Sequence, residues 1–159
     1  MNLFETTEAQ GLNVLGDQAW KPLPHPIVID SGASETVIPT SWCPEHATKE
    51  SHGSRNGVTY TAANGEVISN DGEKTLMIST KDTWQTRLMT FQCAEVTKPL
   101  GSVSKICSNG NKVIFDDEGS YIENKQTGEK IWLKQQGGIY TLDVEVAPPR
   151  ESVFPWQGS

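Results

Sequence analysis

The sequence predicts an all-β domain with one short helix near residues 102–109, and three observations carry that expectation. Short runs rich in β-branched and aromatic residues recur along the chain, turn pairs built on Gly and Asn separate them, and one stretch alone has helical spacing. The 159 residues are one domain's worth of chain. Leu, Ile, Val and Phe supply 34 of the 159 residues, just above the level of about 20% below which a highly charged chain is usually disordered. The core is therefore thin. Thirteen Lys and Arg against 20 Asp and Glu give a net charge of -7, so a large irregular fraction or a core shared with a partner is expected.

Taken in order, residues 1–26 read as a mobile leader: 1–19 have no clear period, and Lys21-Pro-Leu-Pro-His-Pro26 should be an extended, polyproline-like entry. Ile27-Val-Ile29 and Thr36-Val-Ile38 are short strands, the second stopped by Pro39, and residues 40–57 are loop-like. Residues 58–62 and 66–69 flank Asn64-Gly65, a strong hairpin signal because both residues tolerate positive φ. Strands are expected over 75–79 and 87–94. Ser102 then offers an N-cap, Val103, Ile106 and Cys107 recur on one helical face, and Asn109-Gly110 supplies the stop. Strands over 112–115, 121–124, 130–133 and 139–146 complete a meander with turns at 116–119, 127–128 and 137–138, and a Pro-rich tail follows over 147–159.

Several classes are excluded. No run approaches the ~18–20 apolar residues of a spanning helix, and residues 1–20 have neither a basic start nor an apolar stretch, so an intracellular chain with no membrane partner is expected. An acidic balance without a Lys/Arg cluster argues against nucleic acid as a partner. Cys43, Cys93 and Cys107 are odd in number and widely spaced, which disfavours a disulfide framework.

Residues 27–33 are the most informative. Three apolar residues make a buried strand that ends on Asp30, although an unpaired buried carboxylate costs several kcal/mol. Ser31, Gly32 and Ala33 follow with a hydroxyl and two minimal side chains, as if another backbone approached there. Read alone, an Asp-Ser-Gly tripeptide is more readily a strand ending in an Asx or Ser turn, where Asp satisfies backbone donors.

The run from Val28 to Ile38, Val-Ile-Asp-Ser-Gly-Ala-Ser-Glu-Thr-Val-Ile, resembles the active-site strand and loop of the retropepsins, the retroviral-type aspartic proteases. Asp30, Ser31, Gly32, Ala33, Thr36, Val37 and Ile38 match that pattern position by position. Ser34 stands where many retroviral members carry an Asp that binds substrate backbone, and Glu35 keeps an acid at the next position. Residues 60–69 resemble the flap hairpin of retrotransposon members, with Ala63, Asn64 and Gly65 at its tip. Leu100-Gly101-Ser102 matches the apolar-apolar-Gly step before the family's helix in part: Pro99 replaces the first apolar residue and Ser102 the Arg of many retroviral enzymes. From Gly101 to Leu142 the chain looks like the corresponding stretch of copia-type retrotransposon polyproteins.

The resemblance implies a retropepsin-like closed β-barrel or sandwich subunit over 27–146, hydrolysing peptide bonds without metal or cofactor and processing a polyprotein. Asp30, Ser31 and Gly32 would be catalytic; Ala33, Ser34, Glu35, Ala63, Asn64 and Gly65 would bind substrate. Aspartic proteases need two carboxylates about 3 Å apart sharing one proton. The chain has a single Asp-Ser-Gly, so the second Asp30 must come from a second copy, and a homodimer with an extended peptide or polyprotein substrate follows. Two other readings compete: a catalytically inactive retroelement relic, and a β-rich peptide-binding module.

Other constellations are weaker. Cys43 and His46 have metal-like spacing without a second close pair, the acidic run 116–119 reads as a solvated turn, and the five tryptophans are dispersed as core or interface anchors.

Overall fold

A computed structural model describes residues 19–61, 64–81 and 84–149. Strand accounts for 47% of these residues and helix for 8%, as an all-β domain requires. The strands are β1 (Lys21–Pro22), β2 (Ile27–Asp30), β3 (Val37–Pro39), β4 (Thr59–Thr61), β5 (Val67–Ser69), β6 (Gly72–Thr80), β7 (Thr86–Ala94), β8 (Leu100–Ser102), β9 (Asn111–Ile114), β10 (Ser120–Asn124), β11 (Lys130–Gln136), β12 (Ile139–Leu142) and β13 (Val144–Val146). Eleven form one sheet in the order β1-β13-β6-β7-β3-β8-β2-β12-β11-β10-β9, and β4 pairs with β5 as a separate hairpin.

The sheet must curl. β12 and β13 are separated only by Asp143, yet β12 pairs with β2 while β13 pairs with β6, and β7, β3 and β8 lie between those two partners. One continuous segment thus ties two distant places in the sheet together, and the result is a half-barrel. Its concave side is filled by the inward residues of a period-two pattern: Ile27 and Ile29 of β2, Leu76 and Ile78 of β6, Phe91 of β7 and Leu142 of β12. Phe91, Ile27 and Ile38 have no exposed surface.

That alternation also turns a charge inward. Gly72, Lys74, Leu76 and Ile78 share the buried face of β6, and Lys74 is only 3% exposed. Its Nζ donates to the carbonyls of Trp42 and Cys43, both at 2.8 Å. Cys43 itself holds a left-handed backbone, φ 54°.

Several expectations are corrected. Residues 40–57 are not all loop, because α1 (His52–Arg55) makes one helical turn there. Ser51 Oγ accepts from Ser54 N at 3.0 Å and Ser51 N donates back to Ser54 Oγ at 2.9 Å; a Ser in place of the usual Glu or Gln disguises this capping box. The chain therefore has two short helices among its described residues, not one. The anticipated one is α2 (Val103–Ser108), capped by Ser102 and ended by Asn109 and Gly110, whose φ is +86°. Cys107, expected on its apolar face, is exposed, while Val103 and Ile106 do pack against the core. Asp143 breaks the predicted strand over 139–146 into β12 and β13, and its carboxylate lies 2.7 Å from Lys134 Nζ. Within the stretch read as leader, Lys21 and Pro22 pair with Val146 and Glu145. Residues 1–18 and 150–159 lie outside the described residues.

Among the described tryptophans, Trp42 packs against the core and Trp20 is half-buried, whereas Trp84 and Trp132 are exposed, Trp132 edge-on to Tyr121 at 5.0 Å between ring centres. Among the described residues no helix is long and apolar enough to cross a membrane. The three cysteines are free. Burial pushes the Cys43 and Cys93 thiols above their ordinary pKa, with the nearby Lys74 charge pulling the other way. A raised thiol pKa stabilises the fold at pH values below the unfolded thiol's own, and that contribution is lost as pH rises through the folded value. A thiol reagent at about pH 8 is accordingly expected to modify exposed Cys107 first and buried Cys93 only on unfolding, read by mass spectrometry of the labelled peptides. Early labelling of Cys93 would contradict the packing described.

Candidate active site

β2 ends on Asp30, and the following loop reaches β3 by crossing the end of β8, which lies between β2 and β3 in the sheet. β2 and β8 run parallel with Asp30 level with Ser102, and β3 meets β8 through Val37 and Leu100. Loop 31–36 is thus draped over a strand far from it in sequence. Side chains must hold it down.

Ser102 does so. It is fully buried, its Oγ donates to Ala33 O at 2.7 Å, and its backbone N donates to Thr36 Oγ1 at 3.0 Å. The same Oγ accepts from Lys105 N at 3.2 Å, so one hydroxyl fixes both the Asp30 loop and the start of α2. Gly101 before it lies against Ile27 and Ile29 of β2, where an added Cβ would come within 3.0 Å of Ile29 Cδ1. Ser102→Ala is expected to cost about 1–3 kcal/mol in urea unfolding, because it strips the loop carbonyl of its donor and α2 of its cap. An unchanged midpoint would contradict that role.

Asp30 is half-buried, and its Oδ1 accepts the Gly32 N–H at 2.8 Å. Among the described residues nothing hydrogen-bonds its Oδ2. Gly32 is exposed, and a Cβ built on it would come no closer than 3.4 Å, an ordinary contact with Asp30 Oδ1. Its backbone is not left-handed either. Nothing among the described residues therefore requires glycine at this position.

Across from the loop stands the β4–β5 hairpin, in register Thr59↔Ser69, Tyr60↔Ile68 and Thr61↔Val67. Gly65 has φ +88° and Asn64 Oδ1 accepts from Glu66 N at 2.9 Å, but Asn64 is not left-handed, so of the two residues that tolerate positive φ only the glycine adopts it. The hairpin belongs to no larger sheet, so its position depends on its base. There Asn70, buried, donates through Nδ2 to Tyr60 OH at 3.0 Å and to Gln92 Oε1 at 2.9 Å, while its Oδ1 accepts from Gly72 N at 2.8 Å and Ser51 Oγ at 3.2 Å. One amide ties hairpin, α1 and central sheet together. Burial pushes the Tyr60 phenol up; the Asn70 hydrogen bond opposes the shift and the Glu35 charge adds to it.

Between loop and hairpin lies a cleft of about 780 Å³. Asp30, Gly32, Ala33, Ser34 and Glu35 line one side, Tyr60, Asn64 and Ile68 the other, with Val37, Leu100 and the 95–98 loop completing it. Most sequence-predicted residues thus meet in one place. Ser31 and Gly65 are exposed and do not line this cleft, and Ala63 lies outside the described residues. Lys105 Nζ sits 3.5 Å from Glu35.

No family model, curated protein or solved structure matches this chain. The chemistry is therefore read from the site alone. The Asp30 carboxylate, with one oxygen unengaged among the described residues, lines a cleft covered by the hairpin, and among the described residues no group of three or more His, Cys, Asp or Glu is placed to hold a metal ion. The anchoring parts played by Ser102 and Asn70 are not foreseeable from sequence, since Ser102 meets Ala33 across 69 positions and Asn70 meets Gln92 across 22.

Proposed function

We propose that the chain is one half of a retropepsin-like aspartic endopeptidase, active as a homodimer and processing a polyprotein of retrotransposon type. The observation that carries this reading is the position of Asp30: at the end of a strand, on a stapled loop, facing a cleft roofed by a hairpin. Two such loops meeting at a two-fold axis would bring two carboxylates together. One, ionised, takes a proton from a bound water; the other, protonated, donates to the scissile carbonyl oxygen. The hairpin would close over an extended peptide, exclude water and offer backbone hydrogen bonds. Gly32 supports the dimer, because its small size serves nothing among the described residues and would serve a close approach between copies.

A non-hydrolytic peptide-binding module is the second reading, favoured by the Gly32 N–H on Asp30 Oδ1, which is also what an Asx turn would make. The test is incubation of the chain with a diverse peptide mixture at acid to neutral pH, with sedimentation to measure size. Cleavage products from a dimeric protein support the protease; a stable monomer that cleaves nothing overturns it. Gly32→Ala refines the test. Measured at dilutions where both proteins are monomeric, unfolding is expected to move by less than about 0.5 kcal/mol, since the site is open, whereas at higher concentration dimer and activity are lost together. Retained activity in Gly32→Ala would remove the argument for close approach.

A further inference from the structure

Resting on the protease reading, we infer that this cleft selects peptides carrying Lys or Arg close to the scissile bond. The cleft exists independently of its charges, with Val37 and Leu100 as apolar lining beneath the hairpin and Ile68 facing them from it. What distinguishes it is the sign of its rim. Three separate elements each bring a glutamate to it: Glu35 from the Asp30 loop, Glu66 from the hairpin and Glu95 from the loop before β8. Glu35 is partly neutralised by Lys105 at 3.5 Å. Glu66 and Glu95 are exposed and make no ion pair among the described residues, and Lys98 is the one cation among the described residues that line the cleft.

Charges on three sides of a concave site act together on whatever enters it, and a low-dielectric floor focuses their field. In a homodimer each glutamate appears twice, so the peptide would meet carboxylates on both sides of the bond to be cut. An acidic peptide would be repelled by the same groups, and the whole chain, at -7, adds to that repulsion. Apolar side chains would still fill the floor. The selection concerns the neighbouring positions whose side chains reach the rim.

Each exposed carboxylate–cation pair is worth about 0.2–1 kcal/mol, so two or three acting together favour a cationic over a neutral peptide by about tenfold in kcat/KM. The experiment compares peptides with a common apolar centre and flanking Lys, Gln or Glu, at about 50 and 500 mM salt, where screening changes severalfold. The expected result is Lys over Gln by about tenfold, Gln over Glu, and a gap that narrows at high salt. In Glu66→Gln/Glu95→Gln the Lys-to-Gln ratio is expected to fall below about threefold. Equal turnover of the three peptides, or a Lys preference untouched in the double variant, overturns the inference while leaving the protease reading standing. If none of the peptides is cut, fluorescence anisotropy of the labelled Lys and Gln peptides on the same protein decides. Tighter, salt-sensitive binding of the Lys peptide keeps charge selection while the protease reading fails, and equal binding removes both.

Discussion

Asp30→Asn is expected to abolish peptide hydrolysis, lowering kcat/KM by about 10⁴-fold, the upper end of what general acid–base catalysis contributes. In a homodimer one substitution removes both members of the pair, so no half-site remains. The change is close to isosteric, and the amide oxygen can still accept the Gly32 N–H that Asp30 Oδ1 takes at 2.8 Å. Thermal unfolding and dimer mass should therefore stay near those of the unsubstituted protein, which separates a chemical loss from a structural one. Peptide binding should survive for the same reason. Hydrolysis retained in Asp30→Asn would sink the proposed mechanism, and binding without hydrolysis in both proteins would establish the peptide-binding module.

The second large effect is on stability. Lys74→Met is expected to cost about 2–5 kcal/mol, measured by urea unfolding with unchanged m-value. Met fills much the same volume, so packing loss is small. The cost comes from the carbonyls of Trp42 and Cys43, which lose the ammonium donor that each meets at 2.8 Å. One of these residues is also held at φ 54°, a conformation that non-glycine residues keep only when neighbours enforce it. Against a total stability of about 5–15 kcal/mol for such a domain, the loss is large enough to populate unfolded chains at 37 °C. A change under about 0.5 kcal/mol would mean that the 42–43 turn holds itself.

What the sequence discloses here is local. Period-two runs, the hairpin around Asn64-Gly65 and the Ser102 cap all follow from neighbours within a few positions, and the hairpin and the cap stand where they were expected. Three features depend on distant partners and left no local mark. β8 is only Leu100–Ser102, too short to read as a strand, and is one because β2 and β3 both pair with it. Asp143 interrupts an otherwise continuous apolar-polar pattern because the sheet curls there. Lys74 looks like a solvent-facing residue until the loop that covers it is in place. The site divides in the same way: Asp30 and the hairpin are visible as motifs, while the residues that hold them, Ser102 and Asn70, become so only in three dimensions.

The insertion of β8 between β2 and β3 sets an order of events during folding. The β6–β7 hairpin can form from adjacent chain, but the Asp30 loop has nothing to lie on until residues 100–102 arrive, 72 positions after Asp30 in the case of Ser102. Closing so long a loop is entropically slow, and parallel pairing cannot begin from a local turn. On a ribosome, the stretch around Asp30 would emerge early and wait. A nascent or broken chain that stops before residue 102 carries the aspartate without its support, so the geometry at Asp30 is a late product of folding, timed by the synthesis of a strand of three residues.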